Sequence, residues 1–179
     1  MKIKFNPEQL QKAVDTAIAR HEAKNISFRN KSIYFPQKKN EFGIPNEYAP
    51  HLIGVLGEMA WATVKGVPID EKIYKVRDKG EDFRGVEIKT VTYFGRGEPE
   101  LKVKVKEFHK KHPQVYVLMR VDPNTLEVEL LGKISRKKFD DLKKVKRYGA
   151  KLPDNYIVPL SLMDEIKLKN PKNLENLDN

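Results

Sequence analysis

The chain contains no cysteine, which excludes disulfides and thiolate metal sites; any metal would have to be held by oxygen or imidazole. It also lacks long hydrophobic runs. No window approaches a membrane span, and Met1–Pro7 have no apolar core of signal-peptide length. A soluble cytoplasmic protein with no membrane partner is the expectation. Apolar residues make up only 39% of the chain, below the usual globular level, and charged residues fill the gap at 34%. The 179 residues are still enough for one domain with a real core.

The charge is unbalanced: 35 Lys and Arg face 25 Asp and Glu, leaving a net charge of +10. Such an excess points first to a polyanionic partner. The competing reading is a basic surface without a partner, of the kind that a Lys- and Glu-rich thermophile composition produces.

Local patterns divide the chain. Asn6 as cap and Pro7 at the first helical position open a helix over residues 7–24, with Leu10, Ala13, Val14, Ala17 and Ile18 at three-four spacing. Residues 26–50, broken by Pro36, Pro45 and Pro50, read as short extended pieces and loop. A second helix covers 50–65 and stops at Gly66-Val67-Pro68. Strands are expected at 72–76, 86–93, 101–106, 115–121 and 126–131, the 115–121 run being apolar enough to be covered on both faces. Ser135 caps a further helix, 157–158 is a last strand piece, 160–166 a final helix, and 169–179 a loose tail. The expectation is a single α/β (α+β) domain over 1–179, with an N-terminal helix and extended segment over 1–49 and a core over 50–168.

The informative stretch is Asp82-Phe83-Arg84-Gly85-Val86-Glu87-Ile88-Lys89. On a strand Glu87 and Lys89 share a face, and Asp82 lies before them across a turn marked by Gly85. An E-x-K alone is weak, because a solvated Glu–Lys pair is common and contributes little. A second helix residue adds weight. The helical neighbours of Glu58 are Gly54, Val55, Trp61 and Ala62, none of them polar, so its carboxylate sits in an apolar stripe and needs a partner.

In order, spacing and element type, Gly57-Glu58 on a helix followed by Asp82-x-x-Gly85-x-Glu87-Ile88-Lys89-Thr90 resembles the PD-(D/E)xK, or restriction-endonuclease-like, nuclease superfamily over residues 50–142. The "PD" dipeptide is absent, since Glu81 precedes Asp82; Asp78 and Glu81 are alternative first carboxylates. The resemblance implies a restriction-endonuclease-like core with a central mixed β-sheet flanked by helices. It implies a metal-dependent nuclease hydrolysing DNA, with Asp82, Glu87 and the Ile88 carbonyl holding Mg²⁺ or Mn²⁺, Glu58 adding a ligand, and Lys89 attending the water. A homodimer would allow two strands to be cut. Arg96 in the 93–97 loop and the row Lys102, Lys104 and Lys106 are candidate nucleic-acid contacts; a solvated strand face is the alternative. Arg136, Lys137 and Lys138 read as a wet helix face, and His109 and His112 lack a third metal ligand. The alternative function is a nucleic-acid-binding protein on a nuclease-like fold without turnover.

Overall fold

The computed structural model describes residues 1–27, 48–69, 82–92, 98–149 and 152–166. The elements are β1 (Lys2–Ile3), α1 (Pro7–Ser27), α2 (Ala49–Lys65), β2 (Val86–Thr92), β3 (Glu100–Lys104), α3 (Val105–Lys110), β4 (Val115–Val121), β5 (Val128–Ser135), α4 (Arg136–Leu142), β6 (Lys144–Lys146), β7 (Asn155–Pro159) and a 3₁₀ turn, Leu160–Leu162.

The start of α1 and the end of α2 are set by local contacts. At α1 the Gln9 amide donates to Asn6 Oδ1 and the Asn6 amide to Gln9 Oε1, each at 2.9 Å, a reciprocal box that satisfies two donors at the helix start. At the end of α2, Gly66 takes φ 63°, and the amides of Gly66 and Val67 reach back to the carbonyls of Thr63 and Ala62. Among the described residues, no helix is long and apolar enough to cross a membrane.

The main sheet is mixed and has the order β1-β5-β4-β2. β2 and β4 run parallel, whereas β5 is antiparallel to both β4 and β1. The apolar run of β4 lies inside the sheet and is covered on both faces, as its composition predicts. On one face Ile88, Val117 and Met119 pack against Leu52, Val55, Leu56 and Met59 of α2, with Ala13 and Ala17 of α1 behind. On the other, Tyr116, Leu118 and Ile134 meet Leu101, Val103, Phe108, Phe139 and Val158.

Parallel strands cannot be joined by a tight turn, so β2 reaches β4 through a crossover. That crossover contains β3 and α3, and it covers the second face. The strand expected at 101–106 does not join β2: β3 belongs to a separate three-stranded sheet of order β3-β7-β6. The strand also ends at Lys104. The chain turns helical at Val105, which takes Lys106 out of the row formed by Lys102 and Lys104.

Further differences are local. β1 and β6 are too short to show alternation. Leu126 sits at φ 58° in the turn before β5, so that strand starts at Val128 and runs to Ser135. The expected final helix is only the 3₁₀ turn, after which Asp164 bridges to Lys133. Expectations for residues 28–47, 72–76, 93–97 and 169–179 fall outside the described residues.

Two glycines of α2 differ sharply. A Cβ at Gly57 would lie 1.9 Å from Thr90 Oγ1 and 3.1 Å from Thr90 Cβ, whereas one at Gly54 would meet nothing within 4 Å. Gly57 thus lets the helix seat directly on β2. We predict that Gly57→Ala destabilises by about 1–3 kcal/mol through overpacking. Gly54→Ala should stabilise by about 0.5–1 kcal/mol through helix propensity. Urea unfolding of both variants checks this; equal effects would contradict the close seating.

Candidate active site

The site forms at the edge of β2. Phe83 and Val86 exchange two backbone hydrogen bonds, of 3.1 and 2.8 Å, closing a four-residue turn. Gly85, third in that turn, has φ 75°, a conformation that side chains disfavour. The turn folds Asp82 back along the strand, where its Oδ2 accepts from the Ile88 amide at 2.6 Å. Among the described residues β2 pairs only with β4, so Asp82 occupies the other edge. In an extended strand the N–H and C=O of one residue point to the same side, so the Ile88 carbonyl is directed towards that edge too.

Strand alternation sends Val86 and Ile88 to the α2 face and Glu87 and Lys89 to the other. Glu87 is only 3% exposed, the one buried charged residue among those described. It is held by two ammonium groups: Lys89 Nζ at 2.8 Å from Oε1, and Lys111 Nζ at 3.2 and 3.4 Å from Oε1 and Oε2. Lys89 also reaches Glu107 at 3.4 Å, and Lys104 reaches Glu107 at 3.2 Å. An alternating row therefore runs Lys111–Glu87–Lys89–Glu107–Lys104. Burial opposes the charge on Lys89, but the carboxylates of Glu87 and Glu107 outweigh it and raise its pKa above the usual lysine value. Lys89 is thus an ammonium and not a free base.

The crossover explains why α3 supplies Glu107 and Lys111. Tyr116 of β4 lies opposite Glu87, so the residues just before β4 arrive beside that carboxylate. Arg136 fixes them there. Its guanidinium donates to the carbonyls of Lys111 at 2.7 Å and Phe108 at 2.9 Å and to the Tyr116 hydroxyl at 3.2 Å, and it lies over the Phe108 ring. It thereby satisfies carbonyls that the end of α3 leaves open. The reading of Arg136 as part of a wet helix face is corrected.

From the opposite face of the sheet, α2 presents Glu58. Its partner is Arg20 of α1, which donates to both carboxylate oxygens at 2.8 Å in a fork geometry. The apolar surroundings of Glu58 call for a partner, for which a metal or a buried lysine is the natural expectation; the one present is an arginine of the first helix. Asp82 sits electrostatically between the two acids. Burial, then Glu87, then Glu58 push its pKa up from the ordinary carboxylate value of 3.8 to about 7, against the pull of the Ile88 amide and Lys89.

Among the described residues, no group of three or more His, Asp or Glu side chains is arranged to hold a metal ion. Asp82, Glu87 and the edge-directed Ile88 carbonyl nevertheless form a hard-oxygen donor set. That chemistry suits Mg²⁺ or Mn²⁺, which uses one or two carboxylates and keeps water or phosphate in its remaining positions. A divalent cation would also relieve the repulsion that raises Asp82. The donor chemistry suits such an ion, although Glu87 is here paired with Lys89 and Lys111.

The other candidates are dispersed. Lys102 and Lys104 are exposed on β3, Lys106 is exposed on α3, and Arg96 lies outside the described residues. His109 contacts the Tyr156 hydroxyl at 3.3 Å. A pocket of about 270 Å³ lined by Lys2, Arg120, Asp122, Glu127 and Glu129 lies at the far end of β4, away from Glu87, and Arg120 and Glu129 pair within it. Sequence reasoning did not select Arg20, Glu107, Lys111 or Arg136. Arg20 carried a signal: it stands three residues beyond the fully buried Ala17, on the packed side of α1. Comparison with models of known protein families, with curated proteins and with solved structures gives no match to this chain.

The state of Asp82 makes stability depend on pH. Its carboxyl binds a proton more tightly folded (about 7) than at its ordinary value of 3.8, so the folded state holds the extra proton between those values. Stability therefore falls as pH rises from about 4 to about 7 and levels off above, by up to a few kcal/mol. In EDTA the urea midpoint should decline between pH 5 and pH 8, and Asp82→Asn should flatten the decline. Equal declines in both proteins would contradict the assignment.

Proposed function

We propose that the chain is a metal-dependent nuclease that hydrolyses DNA phosphodiesters on a restriction-endonuclease-like core. The observation that carries the reading is that Asp82, at the edge of β2, lies within electrostatic reach of Glu87 and Lys89 on one face of the sheet and of Glu58 on the other, which projects from a helix seated by Gly57. The resemblance of these residues, in this order, to the PD-(D/E)xK pattern supports it. So does the net charge of +10, which suits a polyanionic substrate.

A Mg²⁺ or Mn²⁺ ion held by Asp82, Glu87 and the Ile88 carbonyl would supply Lewis acidity to a phosphoryl oxygen and to the attacking water. The chain's own groups do the rest. Lys89, kept charged by Glu87 and Glu107, orients the water and offsets negative charge as it grows on the phosphoryl oxygens. Glu107 holds Lys89 as a second anionic partner and is itself held by Lys104. Arg20 fixes the plane of the Glu58 carboxylate, which sets the field at Asp82.

A second reading, a nucleic-acid-binding protein without turnover, has its own observation. Arg20 on Glu58, and Lys89 with Lys111 on Glu87, leave those carboxylates neutralised by the chain itself. A plasmid assay with Mg²⁺, Mn²⁺ or EDTA separates the two. The nuclease reading predicts cleavage only with metal, falling to background in Asp82→Ala and Glu87→Ala, and by about 10²–10³-fold in Lys89→Ala. Retained cleavage in either carboxylate variant would sink the site assignment. Retardation of DNA without cleavage under every metal would favour the binding protein.

A further inference from the structure

The small sheet turns one face to the second core and the other to solvent. Alternation and register sort its residues between them. Leu101, Val103 and Val158 pack inward with Phe108 and Phe139. On the outer face Lys102 lies level with Ile157 and Lys144, and Lys104 with Asn155 and Lys146, so four lysines share it. Glu100, level with Pro159, is the one acid there among the described strand residues. Residues two apart on a strand are about 7 Å apart, and residues two strands apart about 10 Å, so the lysines start from the corners of a small rectangle. Lys102 and Lys144 are exposed, and the Lys104 and Lys146 side chains are 57% and 43% exposed. Two features separate this face from an ordinary wet strand. Tyr148, just beyond β6, folds across it: its hydroxyl donates to Glu100 at 3.1 Å, and the ammoniums of Lys102 and Lys146 lie 4.6 and 5.2 Å from its ring centre, which holds both in place. Lys104 joins the face to the candidate site, because it reaches Glu107 at 3.2 Å and Glu107 reaches Lys89 at 3.4 Å.

We propose that this outer face, with Lys102, Lys104, Lys144, Lys146 and Tyr148, binds the phosphate backbone of duplex DNA beside the candidate active site. That the bound duplex is a substrate rests on the nuclease reading; the binding itself does not. Four lysines against one glutamate suit a polyanion, and lysine meets phosphate as a point charge that tolerates varied approach. The aromatic chemistry selects a duplex over an unstacked strand. A stacking platform needs an open ring face, and the Tyr148 ring is engaged by two ammoniums. Contacts of this kind fix the position of a duplex without reading its bases, so the surface is indifferent to sequence.

Anisotropy of a labelled duplex, titrated with the full chain in EDTA across a salt series, tests the surface. Three doubly substituted proteins are compared with wild type. Lys102→Gln with Lys144→Gln removes two charges from the face. Lys2→Gln with Lys4→Gln removes the same charge at β1, the edge of the main sheet opposite β2. Lys102→Arg with Lys144→Arg keeps the charge. The first pair should weaken binding by about tenfold or more and lower the log–log salt slope by about two. The β1 pair should stay within about twofold of wild type, because its lysines make no phosphate contact. The arginine pair should bind like wild type, which separates lost charge from misfolding. Wild type should bind a single strand of the same length more weakly than the duplex. Equal losses in the two glutamine pairs, an unchanged salt slope in the first, or tighter binding of the single strand overturns the proposal. Plasmid cleavage in Mg²⁺ separates this outcome from the nuclease reading. If wild type cleaves and the first pair binds and cleaves equally well, only the surface assignment fails. If duplex binding depends on the first pair but no metal supports cleavage, the nuclease reading fails and the surface stands.

Discussion

Everything at this site follows from the repulsion among carboxylates gathered around one strand edge. Asp82 lies on the edge of β2, Glu87 on one face and Glu58 on the other, and burial first, then these two neighbours, oppose its ionisation. The surrounding cations can be understood as answers to that crowding. Arg20 covers Glu58, while Lys89 and Lys111 cover Glu87. Among the described residues Asp82 forms no such ion pair, and its hydrogen bond is from the Ile88 amide. It is therefore the group that retains its proton towards neutral pH.

The fold serves this arrangement through its crossover. A parallel β2–β4 pair obliges the chain to pass over the second face, and the passage through β3 and α3 builds the second core. The same passage brings Glu107 and Lys111 beside Glu87. Arg136, at the start of α4, then ties the end of α3 to the place where the start of β4 pairs with the end of β5, and there its own amide also donates to the Gln114 carbonyl. The charged row is thus fastened through backbone contacts as well as through its own ion pairs. The pairs of Lys89 and Lys111 with Glu87, being buried or half-buried, resist the screening that weakens surface bridges; the Lys104–Glu107 pair is more exposed.

Asp82, Glu87 and Lys89 were legible because they lie within eight residues and strand alternation fixes their faces. Glu58 was legible because a lone carboxylate in an apolar helical stripe is physically anomalous. The covered β4 and the caps at Asn6 and Ser135 were readable for similarly local reasons. Arg20, Glu107, Lys111 and Arg136 were not selected, because their roles depend on non-local pairing in a chain that is 34% charged, where each looks like one more solvated side chain. Arg136 sits in a run with Lys137 and Lys138, and nothing in that run says which residue turns inward. The fate of the 101–106 strand was hidden for a related reason. Alternation reveals a strand and its apolar face but not which sheet it joins.

The account's central claim is that Asp82 is a buried carboxylate crowded by Glu87 and Glu58, and that, on the proposed reading, a divalent cation would relieve that crowding. Carbon-13 NMR titration of the Asp82 side-chain carboxyl, in EDTA and then in Mg²⁺, tests this most directly. The account predicts a midpoint near 7 in EDTA, falling by more than one unit with Mg²⁺ as the ionised form gains a partner. A midpoint near the ordinary 3.8 in EDTA, or one that Mg²⁺ leaves unmoved, would contradict it.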